Sequence, residues 1–429
     1  VSAPATPSET SAPARIGRVR WVICALLFAA TAVNYIDRQT ISVLKPQLQT
    51  LLHWSEVDYG QVVFWFQAAY AVGYLGFGFL IDRIGARAGY TLSAAIWTAA
   101  HMAHAAVSSL TGFIGARIAL GFGESGMFPA SIKAVTEWFP KTERALAAGV
   151  FNAGSNVGAI LTPLIAIGVT ETMKLDWRWV FIITGLLTLV WLLAWVLVYR
   201  RPDNYPGLKA AELAHIRSDP PDAGEKTPWL RLFGVRETWA FALGKFLIDP
   251  VWWMFLFWMP DFFAKRYHLD LKGFGLPLVT VYVISDVGSI AGGWISSAVL
   301  KSGLSLNLAR KLTMLGCAIA VLPIMGAVYV SNLWIAVAIL GLATAAHQAF
   351  SCNLYTLPSD VFPRRAVASV IGIGGTAGAI GGMLMAQSVG WVLERLHSYT
   401  PIFVAAGLIY FMALAAVHLL CPRYAPAAV

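Results

Sequence analysis

Gly78-Phe79-Leu80-Ile81-Asp82-Arg83-Ile84-Gly85-Ala86-Arg87 interrupts one long apolar run with two glycines and three charges, and a second apolar run resumes almost at once. Such an interruption is too short to be a linker and too polar to lie in hydrocarbon, so it reads as a tight turn at a membrane edge joining two antiparallel helices, with Gly78 permitting close helix approach. Outward from it the same alternation recurs. Twelve apolar stretches are expected near 21–43, 60–81, 89–107, 110–132, 145–169, 178–199, 238–262, 275–299, 309–330, 333–356, 367–392 and 400–420. Each has the roughly 20 residues that a spanning helix needs. The fold class is therefore an all-α integral membrane protein of twelve transmembrane helices.

Composition agrees. Of 429 residues, 58% are hydrophobic and only 12% charged, about half the charged fraction of a soluble domain. Twelve spans leave no room for a sizeable extramembrane domain. The net charge of +9 is explained by loop asymmetry rather than by a nucleic-acid partner: most Lys and Arg residues, among them Arg18, Arg20, Arg83, Arg87, Arg200, Arg201 and Arg310, fall in segments on one side. That places both termini in the cytoplasm.

The expected organisation is a disordered tail over 1–18, a six-helix bundle over 19–199, a linker over 200–237 rich in proline and charge, a second six-helix bundle over 238–421 and a short tail over 422–429. The first residues, Val1 to Ala14, lack the apolar run of a signal peptide. Cys24, Cys317, Cys352 and Cys421 have no metal or redox spacing and read as packing thiols.

The informative residues are charges inside spans: Asp37 and Arg38, Arg117 and Glu124, Lys245 and Asp249, and Asp286. A central charge costs at least about 2.5–3.5 kcal/mol on insertion scales, so each must face a partner or a wet cavity. Asp37 and Arg38 are neighbours about 100° apart on a helix and need different partners. Arg117 and Glu124 lie two turns apart on one face. Lys245 and Asp249 have the spacing of an intrahelical ion pair, and Lys133 is placed to snorkel. Asp286 has no basic residue on its own turn.

Six plus six spans with Gly78, Asp82-Arg83, Gly85 and Arg87 in the second loop resemble the major facilitator superfamily. The resemblance implies two pseudo-symmetric bundles and makes Asp82 and Arg83 gate elements. Asn34-Tyr35-Ile36-Asp37-Arg38, Gln67-Ala68-Ala69-Tyr70, and Arg117 through Gly121, Glu124, Gly126 and Pro129 look like the anion:cation symporter family within it. Phe151-Asn152-Ala153-Gly154-Ser155-Asn156, the pair Arg310-Lys311, and Ala346-His347-Gln348-Ala349 with Ser359-Asp360-Val361-Phe362 are similar to bacterial hexuronate transporters.

That resemblance implies proton-coupled uptake of a sugar-acid anion across a bacterial inner membrane by alternating access. Glucuronate or galacturonate is the expected substrate, and an aldonate or aromatic carboxylate is the alternative. Asp37, Glu124 and Arg117 would carry proton coupling. Arg38 would take the substrate carboxylate, with Tyr35, Tyr70, Asn152, Asn156, His347, Gln348, Ser351 and Asn353 around the sugar. Without substrate, Arg117 is expected to pair with Asp37 or Glu124. Lys245, Asp249 and Asp286 are assigned gating or structural roles.

No cofactor or metal is expected beyond the proton gradient, and no partner beyond the small organic anion, protons and membrane lipid, with a monomer assumed. An enzyme would need a nucleophile with its base, a metal cluster or a phosphate loop, and none has recognisable spacing. Gly158 is not followed by proline, which disfavours an exporter.

Overall fold

The computed structural model describes residues 17–218 and 229–427. Residues 1–16 of the tail expected over 1–18 and part of the linker fall outside these. The described secondary structure is helical throughout. In the first half α1 is Val19–Leu52, α2 Glu56–Ala103, α3 Leu110–Glu124, α4 Met127–Trp138, α5 Lys141–Ile167 and α6 Arg178–Val198. Short helices α7, Ala210–Ile216, and α8, Trp229–Leu232, lie in the linker. The second half holds α9 Arg236–Tyr267, α10 Leu271–Lys301, α11 Leu306–Val321, α12 Leu333–Val361, α13 Arg364–Leu396 and α14 Thr400–Leu420.

Nine segments among the described residues are long and apolar enough to cross a membrane. The remaining crossings come from the two arms of α2 and from the α3–α4 pair. Gly85 adopts φ 84° and ψ 165°, a region open to glycine and hostile to a Cβ, and there α2 folds back on itself. Trp54, before the first arm, and His104, after the second, both pack on Phe113, so the arms return to one end. The charged turn thus does what its sequence implies, by one residue's backbone freedom. Gly78 is a correction: a Cβ there would meet nothing within 4 Å, so it is not a close-packing position in this structure. The Asp82 side chain lies outside the described part, and Arg83 is exposed.

Pairing within the halves repeats. α1 packs on α5 as α9 packs on α13; α2 packs on α3 as α10 on α12; α2 packs on α6 as α11 on α14. Across the halves α2 meets α13 and α5 meets α10. This is the geometry of an internal repeat. Large apolar side chains such as Leu193, Leu197 and Leu408 face outward, as lipid contact requires.

The two ends differ. At the end carrying both chain termini, Arg20 Nε lies 2.8 Å from Glu143, its Nη1 lies 3.3 Å from the buried Glu212 of α7, and His215 Nε2 is 2.9 Å from Glu143. These bonds dock the linker helix on the first half. Between the halves at the same end, Cβ atoms built at Gly78 of α2, Gly149 of α5 and Gly372 of α13 would have no neighbour within 4 Å among the described residues.

The opposite end is locked. Fully buried Lys45 of α1 bonds Glu56 of α2 at 2.8 Å and Asp261 of α9 at 2.9 Å. Lys265 bonds both acids, and Tyr399 donates to Asp261. Tyr59 donates to the Phe257 carbonyl at 2.9 Å, and a Cβ at Gly60 would stand 3.2 Å from the Gly390 backbone. Burial opposes ionisation of Glu56, but Lys45 and Lys265 hold its pKa down to about 2.

A Cβ at Gly121 would lie 2.3 Å from the Phe66 carbonyl, so Gly121→Ala should lower thermal stability in detergent, by about 1–3 kcal/mol for overpacking, whereas Gly149→Ala should be neutral or stabilising. Removing the Lys45 ammonium leaves two buried carboxylates short of a partner, about 3–5 kcal/mol. Lys45→Met should therefore raise hydrogen–deuterium exchange over 45–60 and 257–267. Because Glu56 is depressed, its contribution is complete above the unfolded carboxyl value of about 4.3 and is lost only as pH falls through about 2, so the lock should stay closed between pH 5 and 8 by the same measurement.

Candidate functional site

The site forms where α1, the first arm of α2, α3 and α9 converge. Glycines place α3: beyond Gly121 against Phe66, a Cβ at Gly123 would stand 2.6 Å from the Trp97 backbone nitrogen. Close backbone approach brings Arg117 and Glu124, both buried on α3, under α1.

Arg38 is the centre. Its Nε donates to Glu124 Oε2 at 2.7 Å and its Nη2 to Asn34 Oδ1 at 3.2 Å. The guanidinium sits 4.9 Å from the Tyr35 ring, 5.5 Å from Phe66, 5.0 Å from Tyr70 and 5.2 Å from Trp253. Each cation–π contact in a desolvated setting contributes on the order of 2 kcal/mol. An ion pair and four aromatic faces thus replace the water this cation has lost. The fork also lines the cavity and can take a carboxylate bidentately once Glu124 lets go.

Arg117 is not paired as the sequence led us to expect. Its Nη2 donates to the Arg38 backbone carbonyl at 3.2 Å, while Nε and Nη1 have no protein hydrogen-bond partner. Glu124 Oε1 also lacks one, and the two residues interact electrostatically. A buried guanidinium with spare donors beside a carboxylate with a spare acceptor is poised to take Glu124 when Arg38 moves. Arg38, the nearer cation, wins the carboxylate in this state.

Asp37 points away from the cavity. Thr188 of α6 donates to its Oδ2 at 2.7 Å, and His101, on the second arm of α2, brings Nε2 within 3.2 Å of Oδ1. Among the described residues no ion pair joins Asp37 to Arg38 or Arg117. The two acids therefore do not face each other across one cavity: Glu124 serves the cavity, and Asp37 an interior polar cluster of the first half.

A cavity of about 160 Å³ beside Arg38 is lined by both halves, including Tyr35, Tyr70, Asn152, Asp249, Trp253 and Tyr355. That volume holds several waters or a small molecule. Facing Arg38 from the second half, Lys245 Nζ lies 2.6 Å from Asp249 Oδ1 and 4.2 Å from the Tyr355 ring. The i,i+4 pair is present as spaced, and one member borders the cavity.

Other residues proposed from sequence lie elsewhere. Asn156 is half-buried on α5 outside this lining. His347 bonds the Tyr410 hydroxyl at 2.7 Å and stacks on Trp252, a packing environment. Asn353 donates to the Ala349 carbonyl, Ser351 is buried and Gln348 half-buried; none lines the cavity. Asp286 is half-buried on α10, with Oδ1 unpartnered.

Trp252 and Trp253 were both candidates for a sugar platform from the sequence, and Trp253 lines the cavity; Phe66 and Tyr355 were not marked by any charge, and Asp261, His101 and Thr188 were hidden inside apolar runs. Asp261 was legible only as a carboxylate at the end of a span, four residues before Lys265. Among the described residues no group of acidic, histidine or cysteine side chains could hold a metal ion.

Residues 27–386 match the family model of the Major Facilitator Superfamily. The chain is 32% identical over 396 residues to the hexuronate transporter of Escherichia coli (strain K12), covering 91% of each chain. It is 32% identical over 307 residues to the galacturonate transporter of Dickeya chrysanthemi, 70% of this chain and 88% of that one. It is 29% identical to the D-galactonate transporter of Escherichia coli O6:H1, covering 91% of this chain and 93% of the other. Its fold matches the crystal structure of a bacterial homolog to human lysosomal transporter, Spinster, in an inward-facing and occupied conformation, with a TM-score of 0.74 at 17% identity over 95% of this chain and 98% of that one. With its repeated six-helix halves and this match over most of its length, the chain belongs to the Major Facilitator Superfamily.

Proposed function

We propose that this protein is a proton-coupled importer of a sugar-acid anion, with a hexuronate as substrate, in a bacterial inner membrane. The observation that carries the reading is the buried Arg38–Glu124 pair, boxed by aromatic rings and open to a cavity shared by both halves. A planar guanidinium suits a carboxylate, and rings of Tyr35, Tyr70 and Trp253 suit the faces of a sugar. The relatives named for hexuronate and galacturonate support the substrate class. The galactonate relative supports the second reading, an aldonate.

Coupling follows from competition. While Glu124 is ionised it holds the Arg38 fork. A proton on Glu124 weakens that bond, the fork turns to the substrate carboxylate, and the site becomes electrically quiet enough to cross between the two access states. Asp249, held by Lys245, stands on the opposite wall of the cavity. Arg117 restrains Glu124 on the return. The basic end carrying the termini is assigned to the cytoplasm, so the locked end faces the source of substrate. The working unit is a monomer in lipid, its two bundles rocking about a linker over 200–237, with Asp82 and Arg83 at the inner gate.

The test is uptake of radiolabelled galacturonate into proteoliposomes under an inward proton gradient, with galactonate and benzoate as competitors. Arg38→Lys keeps the charge and loses the fork, and should reduce kcat/KM by about tenfold or more, consistent with loss of a charge-assisted hydrogen bond of 1.5–3 kcal/mol. Glu124→Gln should abolish acceleration by the gradient while retaining exchange of internal for external substrate. Preferential competition by galactonate would move the substrate to the aldonates. Gradient-driven uptake unaffected by both substitutions would overturn the mechanism.

A further inference from the structure

The Asp37 cluster does not belong to the substrate cavity, and its construction is unusual for mere packing. Asp37, His101 and His104 are all buried within the first half. His101 Nε2 lies 2.7 Å from Thr184 Oγ1 and 3.2 Å from Asp37 Oδ1. Thr184 gives its own hydroxyl proton to the Val180 carbonyl at 2.7 Å, so it accepts from His101, and the His101 proton resides on Nε2, beside the acid. His101 Nδ1 then carries a lone pair and has no protein partner.

His104 stands in the complementary state. Its Nδ1 is 2.8 Å from the Ala100 carbonyl, which requires a proton there and leaves Nε2 as an unprotonated acceptor, also without a protein partner. The two ring centroids are 6.1 Å apart. Buried nitrogens of this kind otherwise find partners almost always. His104 closes the second arm of α2, four residues before exposed Ser108, under a lid of Phe113, Phe181 and Trp54 at the locked end.

We propose that His104 and His101 relay a second coupling proton, beside the one that Glu124 takes, to Asp37 from the locked end, by a route inside the first bundle that is separate from the substrate cavity. A proton that reaches His104 Nε2 from the medium when the aromatic cover parts passes to His101 Nδ1. The His101 Nε2 proton, bonded to Thr184 in this structure, swings to Asp37 Oδ1, which lies 3.2 Å away and has no hydrogen-bond partner, and its transfer leaves a neutral imidazole of the other tautomer and a neutral acid. A ring flip restores the starting tautomer, and the net change is one proton added to Asp37. The neighbouring charges are Arg117 and Glu124 on α3; α2 contributes the Trp97 indole beside Asp37, and α6, among the described residues, the hydroxyls of Thr184 and Thr188. Since Asp37 precedes Arg38 on α1, neutralising one alters the helix turn that carries the other, which joins proton and substrate without a shared compartment.

The relay rests on the symport reading above, and the experiment separates the two. Full-length protein in proteoliposomes is assayed for galacturonate uptake and for internal acidification with a trapped pH dye at external pH 5.5–8. Counterflow at symmetrical pH and galacturonate binding by intrinsic tryptophan fluorescence are measured alongside. His101→Gln and His104→Gln should each lower gradient-driven uptake and acidification about a hundredfold or more, the lower end for a lost proton-transfer group, and flatten the pH profile, with binding unchanged. Thr184→Val, which frees the His101 ring without removing it, should shift the pH profile and gives the same test independently of how well the histidine variants fold. Wild-type fluxes and pH profile in all three variants would overturn the relay. Galacturonate accumulation by the unmodified protein with no acidification would overturn the symport itself, and the relay with it.

Discussion

A guanidinium in the middle of a membrane survives only if its environment replaces water, and Arg38 is where this protein meets that demand. The replacement draws on every neighbouring element: Glu124 from α3, Asn34 from its own helix, Phe66 and Tyr70 from α2, and Trp253 from the other half. The close approach at Gly121, the break after Glu124 and the contact of α1 with α9 all place one of these partners. Loss of Glu124 as an anion exposes the cation to whatever carboxylate the cavity admits. Structure and transport chemistry are thus two aspects of a single desolvation problem.

Much of the architecture was readable because lipid imposes length and periodicity on every crossing. The turn at Gly85 was legible since few residues other than glycine interrupt an apolar run beside Asp82 and Arg83. Intramembrane charges announced Arg38, Glu124, Arg117 and the Lys245–Asp249 pair. What sequence could not provide was direction around each helix axis between spans. Asp37 and Arg38 were seen to need different partners, but that Thr188 bonds Asp37 and His101 stands beside it depends on how α2 and α6 rotate. Trp253 adjoins Trp252 on α9, yet only one reaches the cavity. His347 looked polar in its stretch and lies instead between Trp252 and Tyr410, because α12 turns that face toward its own bundle.

Charge is distributed unevenly between the two ends. The termini end uses Arg20, Glu143, Glu212 and His215 to fasten the linker helix to one half. The other end uses Lys45, Glu56, Asp261 and Lys265 to fasten the halves to each other. Buried pairs are screened little by salt, so this closure is an internal property of the protein.

Where Gly60 approaches Gly390, the halves touch backbone to backbone with no side chains between. Such a contact is a fulcrum set near one end of a long lever. From Gly390 to the start of α13 the helix extends about 40 Å. A tilt of about ten degrees around that point therefore swings the far end by about 7 Å while hardly moving the pivot. Large openings at one face need only minor rearrangement at the other, and the absence of a Cβ at both positions keeps the bearing smooth.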